Sequence, residues 1–201
     1  MSALLVLGGV VVVLALAVVA SYNRFISQEQ LIADAWANID TELRRRYDLV
    51  PNLVDTVRAY AAHERSLFEE VARARAAALG STGRPRTQAR DENALVGALR
   101  HLLAVSERYP RLRASEHFLA LQRELVDTED RIQLARRVYN ANVRDYNRRV
   151  KSVPSVVIAS IFGFVEEDFF EVEPAVRAEG PPDVAPGLSP TPTLGEEGAG
   201  G

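Results

Sequence analysis

The chain has 201 residues, of which 47% are hydrophobic and 25% charged, with a formal net charge of −3 and no cysteine. Lacking cysteine, it can build neither a disulfide framework nor a thiolate metal site. The negative charge is confined to the end: from Pro174 onward Glu179, Asp183, Glu196 and Glu197 stand against Arg177 alone, so the rest is balanced and lacks the basic excess of a general nucleic-acid binder.

The first predicted element is Ala3 to Ala20, ALLVLGGVVVVLALAVVA, which holds no charge, amide or hydroxyl. As a helix rising about 1.5 Å per residue it reaches roughly 27 Å, close to a hydrocarbon core of ~30 Å. Tyr22, Arg24 and Phe25 follow at once, as an aromatic and cationic collar at the headgroups would. The segment reads as a retained membrane-spanning helix over residues 1–22. The rival reading is a signal peptide, with Val18 and Ala20 preceding a cut at Ser21 and the body released outside the membrane. Against it stand the missing basic leader and an apolar run longer than the roughly 7–15 residues of such signals. Arg24 lies beside the span with no basic side chain before it, and the positive-inside rule then puts the body in the cytoplasm.

From Phe25 to Leu79 the chain has one proline and no glycine. Apolar and aromatic residues recur at strides of three and four, among them Ile32, Trp36, Ile39, Leu43, Tyr47, Val50, Val54 and Val57, as on a helix packed in a bundle. The pattern is interrupted at Glu64. Pro51 either kinks a helix that runs on or follows a tight hairpin near Tyr47–Leu49 with Asp48 as the next N-cap. The unbroken phase through 43, 47, 50 and 54 favours the continuing helix. Arg44-Arg45-Arg46 reads as a solvated face with partners one turn away, such as Glu42 for Arg46. Contact with anionic lipid is the alternative, but Arg44 lies about 30 Å along the axis from Arg24, beyond a Debye length of ~8 Å.

Gly80 to Arg86 is a breaker cluster, with Gly80 expected as a C-cap. A helix from Thr87 to Arg108 follows and ends at Tyr109-Pro110. Ser115 opens the last long helix, Ala114 to Lys151, whose seam includes Phe118, Leu121, Leu125, Ile132, Tyr139, Tyr146 and two polar residues, Thr128 and Asn142. These two read as groups satisfied by neighbouring carbonyls or as register devices. Pro154 breaks the helix. Val156 to Phe164 is apolar but too short to span a bilayer, so it caps the open end of the bundle or, alternatively, dips into the bilayer surface. From Pro174 to Gly201 the chain is rich in Pro, Gly and Glu and is expected to be disordered.

Reactive motifs are incomplete or missing. His63-Glu64 begins a zinc-protease pattern, but Leu67 stands where the second histidine belongs. The residues three before His63, His101 and His117 are Tyr60, Ala98 and Ala114, so the Glu-x-x-His pairs of di-iron bundles are missing. No nucleophile elbow and no phosphate-binding loop is present. A metal-binding or enzymatic bundle using His63, His101 and His117 is kept as the alternative function. The preferred reading assigns no catalytic residue, metal or cofactor, and takes His63 and Glu64 as an interhelical polar contact.

Tyr22-Asn-Arg-Phe, Gln28-Glu-Gln-Leu, Ala35-Trp, Arg45-Arg-Tyr-Asp-Leu-Val-Pro-Asn-Leu-Val and Tyr60-Ala-Ala-His-Glu together resemble the LemA family. So do Tyr109-Pro, Phe118-Leu-Ala-Leu-Gln, Tyr139-Asn, Asp145-Tyr-Asn, Phe162-Gly-Phe and Phe169-Phe, in order over roughly Leu4 to Glu173. Val153 departs from the pattern, since the family often carries Phe before this proline. The resemblance implies an all-α protein: one N-terminal span, an antiparallel four-helix bundle over 23–173, and a tail over 174–201. It implies a membrane-anchored bundle rather than an activity, with a similar branch that helps build organelle membranes in magnetic bacteria. Partners are then the membrane, other membrane proteins or a second copy, with no nucleic acid. Arg45, Arg46, Asp48, Pro51, Asn52, His63, Glu64, Asn140, Asp145 and Asn147 match the family's polar positions and are candidates for a contact surface or a buried polar network.

Overall fold

The computed structural model describes residues 1–81 and 84–175, and among these all regular structure is helical. Helix α1 runs without interruption from Ser2 to Arg58, carrying Pro51 inside it. The continuing-helix reading therefore holds, and the hairpin at Tyr47–Leu49 does not form. The apolar run and the first bundle helix are one rod of 57 residues, about 86 Å long at ~1.5 Å per residue. Its N-terminal part is long and apolar enough to cross a membrane and has nothing buried against the protein.

Beyond Arg58 the chain reverses. The amides of Tyr60 and Ala61 both donate to the Val57 carbonyl, and that of Glu64 donates to Ala61. Ala61 is fully buried in this turn. No glycine or proline marks it, so only the interruption at Glu64 signals the reversal. Helix α2 (Arg65–Gly80) then packs back along α1, placing Ala78 beside Tyr47 and Phe68 beside Arg58. Gly80 is not the C-cap: it is the last helical residue, and the extended Ser81 caps instead.

Helix α3 (Pro85–Ser106) starts with proline in its first turn, where the missing N–H costs nothing. It runs antiparallel to α2, joined by His101 to Glu70 and by Arg108, just beyond α3, to Glu64, just before α2. The four-residue α4 (Pro110–Arg113) plugs the far end with the buried Leu112. Ser115 then caps α5 (Glu116–Lys151), its hydroxyl accepting from the Phe118 amide. Contacts pair Arg46 with Glu129, Trp36 with Tyr139 and Phe25 with Tyr146, so α5 descends antiparallel to α1. α1, α2, α3 and α5 thus form an up-down-up-down four-helix bundle.

Its seam is the predicted one: Ile39, Leu43, Val50, Val57, Leu125, Ile132 and Tyr139 are all buried. Thr128 donates to the Glu124 carbonyl at 2.8 Å and Asn142 to the Leu31 carbonyl at 3.1 Å, which accounts for both polar seam residues. Tertiary burial is what holds these helices, since each aliphatic or aromatic side chain taken from water adds about 1.5–3 kcal/mol.

At the end nearest the apolar run, α6 (Ser155–Phe162) packs through Ala159 and Ile158. The rest of this stretch is largely uncovered, so it caps the bundle only in part: Val157, Ile161 and Phe162 stay exposed. Gly163 follows in the left-handed region at φ +78°, and the Phe164 amide reaches back to the Ala159 carbonyl. This closes α6 and turns the chain into an extended strap, residues 164–175, which climbs along α5 and α3. Phe170, Val172 and Ala175 are its buried residues. The strap continues two residues into the stretch assigned by sequence to the tail, because Pro174 accepts from Arg100 and Ala175 is buried. The expected tail from 176 onward lies outside the described residues.

Gly163 is the backbone pivot of this reversal, since a side chain in the left-handed region costs about 1–2 kcal/mol. Gly163→Ala is expected to lower the unfolding free energy of the detergent-solubilised chain by about 1 kcal/mol. Urea titration measures this, and hydrogen exchange should quicken first in the strap.

Candidate functional site

The most concentrated polar chemistry lies inside the bundle. Arg46 comes from α1 at a position between the seam residues Leu43, Tyr47 and Val50, and its side chain has no exposed surface. One guanidinium nitrogen donates to Glu129 of α5 at 2.8 Å, and the other donates to Glu92 of α3. The Tyr47 hydroxyl and the Gln88 amide donate to the second oxygen of Glu92. The remaining oxygen of Glu129 accepts from the backbone N–H of Ala175, in the strap, at 3.0 Å. All four carboxylate oxygens therefore have a donor, as buried charges require. Three helices and the strap meet at this single level.

Burial pulls the Arg46 guanidinium toward neutrality, but Glu129 and Glu92 outweigh it and hold the proton more firmly than usual. Tyr47 is pushed up by burial first and by the Glu92 charge second. This corrects the expectation of a solvated triple arginine. Arg44 pairs with Asp40 at 2.8 Å and Arg45 lies 3.9 Å from Glu42, both exposed, whereas Arg46 turns inward and never meets Glu42. A step of about 100° per residue separates the three around the helix.

A second polar set holds the strap. Asn147 donates to the Glu167 carbonyl and accepts from the Glu167 amide, both at 2.9 Å. Asn140 makes the same paired contact with Phe170, and Asn93 of α3 bridges Glu171 and Glu173. Tyr139 donates to the Asp168 carbonyl, and Arg136 to that of Val172. Side-chain amides thus supply the donor and acceptor that a neighbouring strand would supply. Burial pushes the Tyr139 and Tyr146 phenols up, with Glu167 and Asp168 adding to the first and Glu29 to the second.

The ten sequence candidates divide accordingly. Arg46 joins the buried network, and Asn140 and Asn147 hold the strap. Glu64, just before α2, pairs with Arg108, just beyond α3, at 2.6 Å. Arg45, Asp48, Pro51, Asn52, His63 and Asp145 are exposed and enter neither network. Sequence reasoning missed Glu92, Glu129, Gln88 and Asn93. Glu92 and Glu129 fall on the seam-facing sides of α3 and α5, and an acid at a core position with an arginine unaccounted for elsewhere is the signal that could have found them. His63, His101 and His117 are all exposed and sit on the turn after α1, on α3 and on α5. Among the described residues no group of three His, Cys, Asp or Glu could hold a metal ion. The arrangement tethers helices.

A family model described as LemA family matches residues 35–185, covering the seam of α1 from Ala35 onward, the network and the strap. The chain belongs to the LemA family. Its curated relatives include magnetosome protein MamQ of Magnetospirillum gryphiswaldense, 28% identical over 179 residues, 77% of this chain and 66% of the relative. Magnetosome proteins MamQ 1 and MamQ 2 of Paramagnetospirillum magneticum match to the same extent. The match spans slightly less than two thirds of these relatives' length. With its lipid-length first helix, the chain is a membrane-associated protein of LemA type.

Removing Arg46 would leave two carboxylates buried without their counter-charge. Arg46→Ala is expected to cost about 3–5 kcal/mol, read as a lower urea midpoint, while Arg45→Ala next to it stays within about 0.5 kcal/mol.

The tyrosines set an alkaline limit. In the folded chain Tyr47, Tyr139 and Tyr146 keep their protons above the ordinary value of 10.0. The unfolded chain releases them near that value, so unfolding gains from rising pH. Their contribution is complete below about pH 10 and is lost as pH climbs above it. Urea midpoints measured from pH 8 to 11 should be level at first and fall beyond about pH 10.

Proposed function

We propose that this LemA-family chain is a single-pass membrane protein whose bundle works on the cytoplasmic side as a non-catalytic interaction or membrane-organising scaffold. The observation that carries the reading is the continuity of α1. The helix with the lipid-length run is also the helix whose seam builds the bundle core. A body joined in this way has no flexible linker and projects from the bilayer as a rod, which suits presenting a face at a fixed height.

Two further observations support it. The concentrated polar chemistry is spent on tying helices together, with Arg46, Glu92 and Glu129 closed to solvent. The relatives carry the name of an organelle, the magnetosome, which accords with a part in organising a membrane compartment. The cytoplasmic side is supported by the fold as well as by Arg24. The descending α5 returns Arg148, Arg149 and Lys151 to the same end of the molecule, adding cations where the positive-inside rule favours them.

Mild crosslinking in intact membranes followed by purification of the full chain tests this reading. A defined oligomer or one enriched membrane-protein partner is expected. A monomer with no membrane protein enriched would overturn the scaffold. Release of the chain into the supernatant by alkaline carbonate would overturn the anchor.

A further inference from the structure

Helix α6 is the most apolar segment of the body, and most of it is uncovered. Val157, Ile161 and Phe162 are 56%, 68% and 49% exposed. Val153 before the helix and Val165 after it are 85% and 68% exposed. Val157 and Ile161 stand one turn apart on the outer face, while Ile158 and Ala159 face the bundle. Clustered apolar exposure of this kind marks a contact surface.

Its position decides what it contacts. The Phe162 ring lies 4.9 Å from that of Tyr22, and the Phe164 ring lies 5.6 Å from Tyr22 and 4.5 Å from Phe25. Tyr22 follows Ala20, the last residue of the lipid-length run, by about 3 Å along the helix. With that run across a hydrocarbon core of ~30 Å, the headgroup layer extends roughly 5–8 Å further, to the level of Phe25. The exposed face of α6 is therefore held where the bilayer surface must be.

Two cations mark the same level. Arg149 lies over the Phe25 ring at 5.8 Å, close enough to Arg24 that, after burial, the charge of Arg24 lowers its proton affinity. Among the described residues no carboxylate lies within 4.0 Å of either guanidinium, and the buried Nε of Arg149 has no partner. Lys151 is already paired with Glu166 at 2.6 Å. An apolar face flanked by two arginines lacking counter-ions is the pattern of a helix lying in a lipid interface, apolar side in the acyl boundary and guanidinium groups at phosphates.

We propose that α6 lies in the plane of the bilayer surface as a second membrane contact, burying Val157, Ile161, Phe162 and Val165 in the acyl boundary and setting Arg24 and Arg149 against lipid phosphates. The proposal rests on reading the start of α1 as the anchor. One span alone leaves a rod free to spin about its axis. A lateral contact at its foot fixes which face of the bundle looks along the membrane.

The test uses the full chain in vesicles of phosphatidylcholine and phosphatidylglycerol, at one chain per vesicle, with lipids brominated near the headgroup end of their acyl chains. Phe162→Trp and, separately, Val165→Trp report from α6. The unsubstituted chain supplies the background of Trp36, about 21 Å beyond Tyr22 along α1. The added indole should lose about half its emission to brominated lipid and be shielded from aqueous iodide. Chains that co-float with the vesicles while both added indoles stay unquenched and open to iodide overturn the inference and leave the anchor standing. Quenching that appears only at many chains per vesicle assigns the face to a second copy and also overturns it. Chains that do not co-float overturn the anchor reading and this inference together.

Discussion

An arginine with no exposed surface, held between carboxylates from two other helices, is the constraint around which the bundle is arranged. Charges taken out of water must find partners at one level, and Arg46, Glu92 and Glu129 do so only when α1, α3 and α5 are in one register. An apolar seam alone tolerates a slip of one turn, because one aliphatic side chain replaces another. A slip here would strand three charges. The backbone of Ala175 supplies a further donor, so the strap is tied to the same level as the helices it crosses.

From that level the molecule extends in both directions along α1. Away from the lipid-length run, the turn at residues 59–64 and the short α4 close the bundle over Ala61 and Leu112. Toward it, α2 and α3 stop short and α1 and α5 go on as a pair. The strap and α6 cover part of that pair. Asn140, Asn147 and Asn93 hold the strap by pairing their side-chain amides with its backbone. Extended backbone laid on helices has no ladder of its own, and these amides substitute for one.

The same geometry joins the family reading to the membrane. Without a break in α1, forces on the bundle pass directly to the lipid-length run, and α6, Tyr22, Phe25 and Arg149 gather beside it. In the scaffold proposed above, helix length would set the height and the contacts beside the lipid-length run would set the facing. That division follows from one continuous helix with its polar chemistry turned inward.

Much of this was legible along the chain. Strides of three and four identified the seams of α1 and α5, the phase through Pro51 favoured a continuing helix over a hairpin, and Ser115 marked the start of α5, because helix periodicity and capping are local properties. The eighteen-residue apolar run declared its length against a bilayer in the same way. Other features waited on tertiary structure. Whether Arg46 points to water or to the core depends on acids 46 and 83 residues away, and the reversal at Ala61 carries no glycine or proline. The strap has no periodicity of its own to read over so few residues; its path is set by amides on α3 and α5. Sequence by itself determined the long helical stretches and which face of each is apolar, since backbone geometry and side-chain spacing act within a few residues. Only the packed structure decided which charges meet and what lies beside the lipid-length run, because those partners are brought together by folding and not by adjacency.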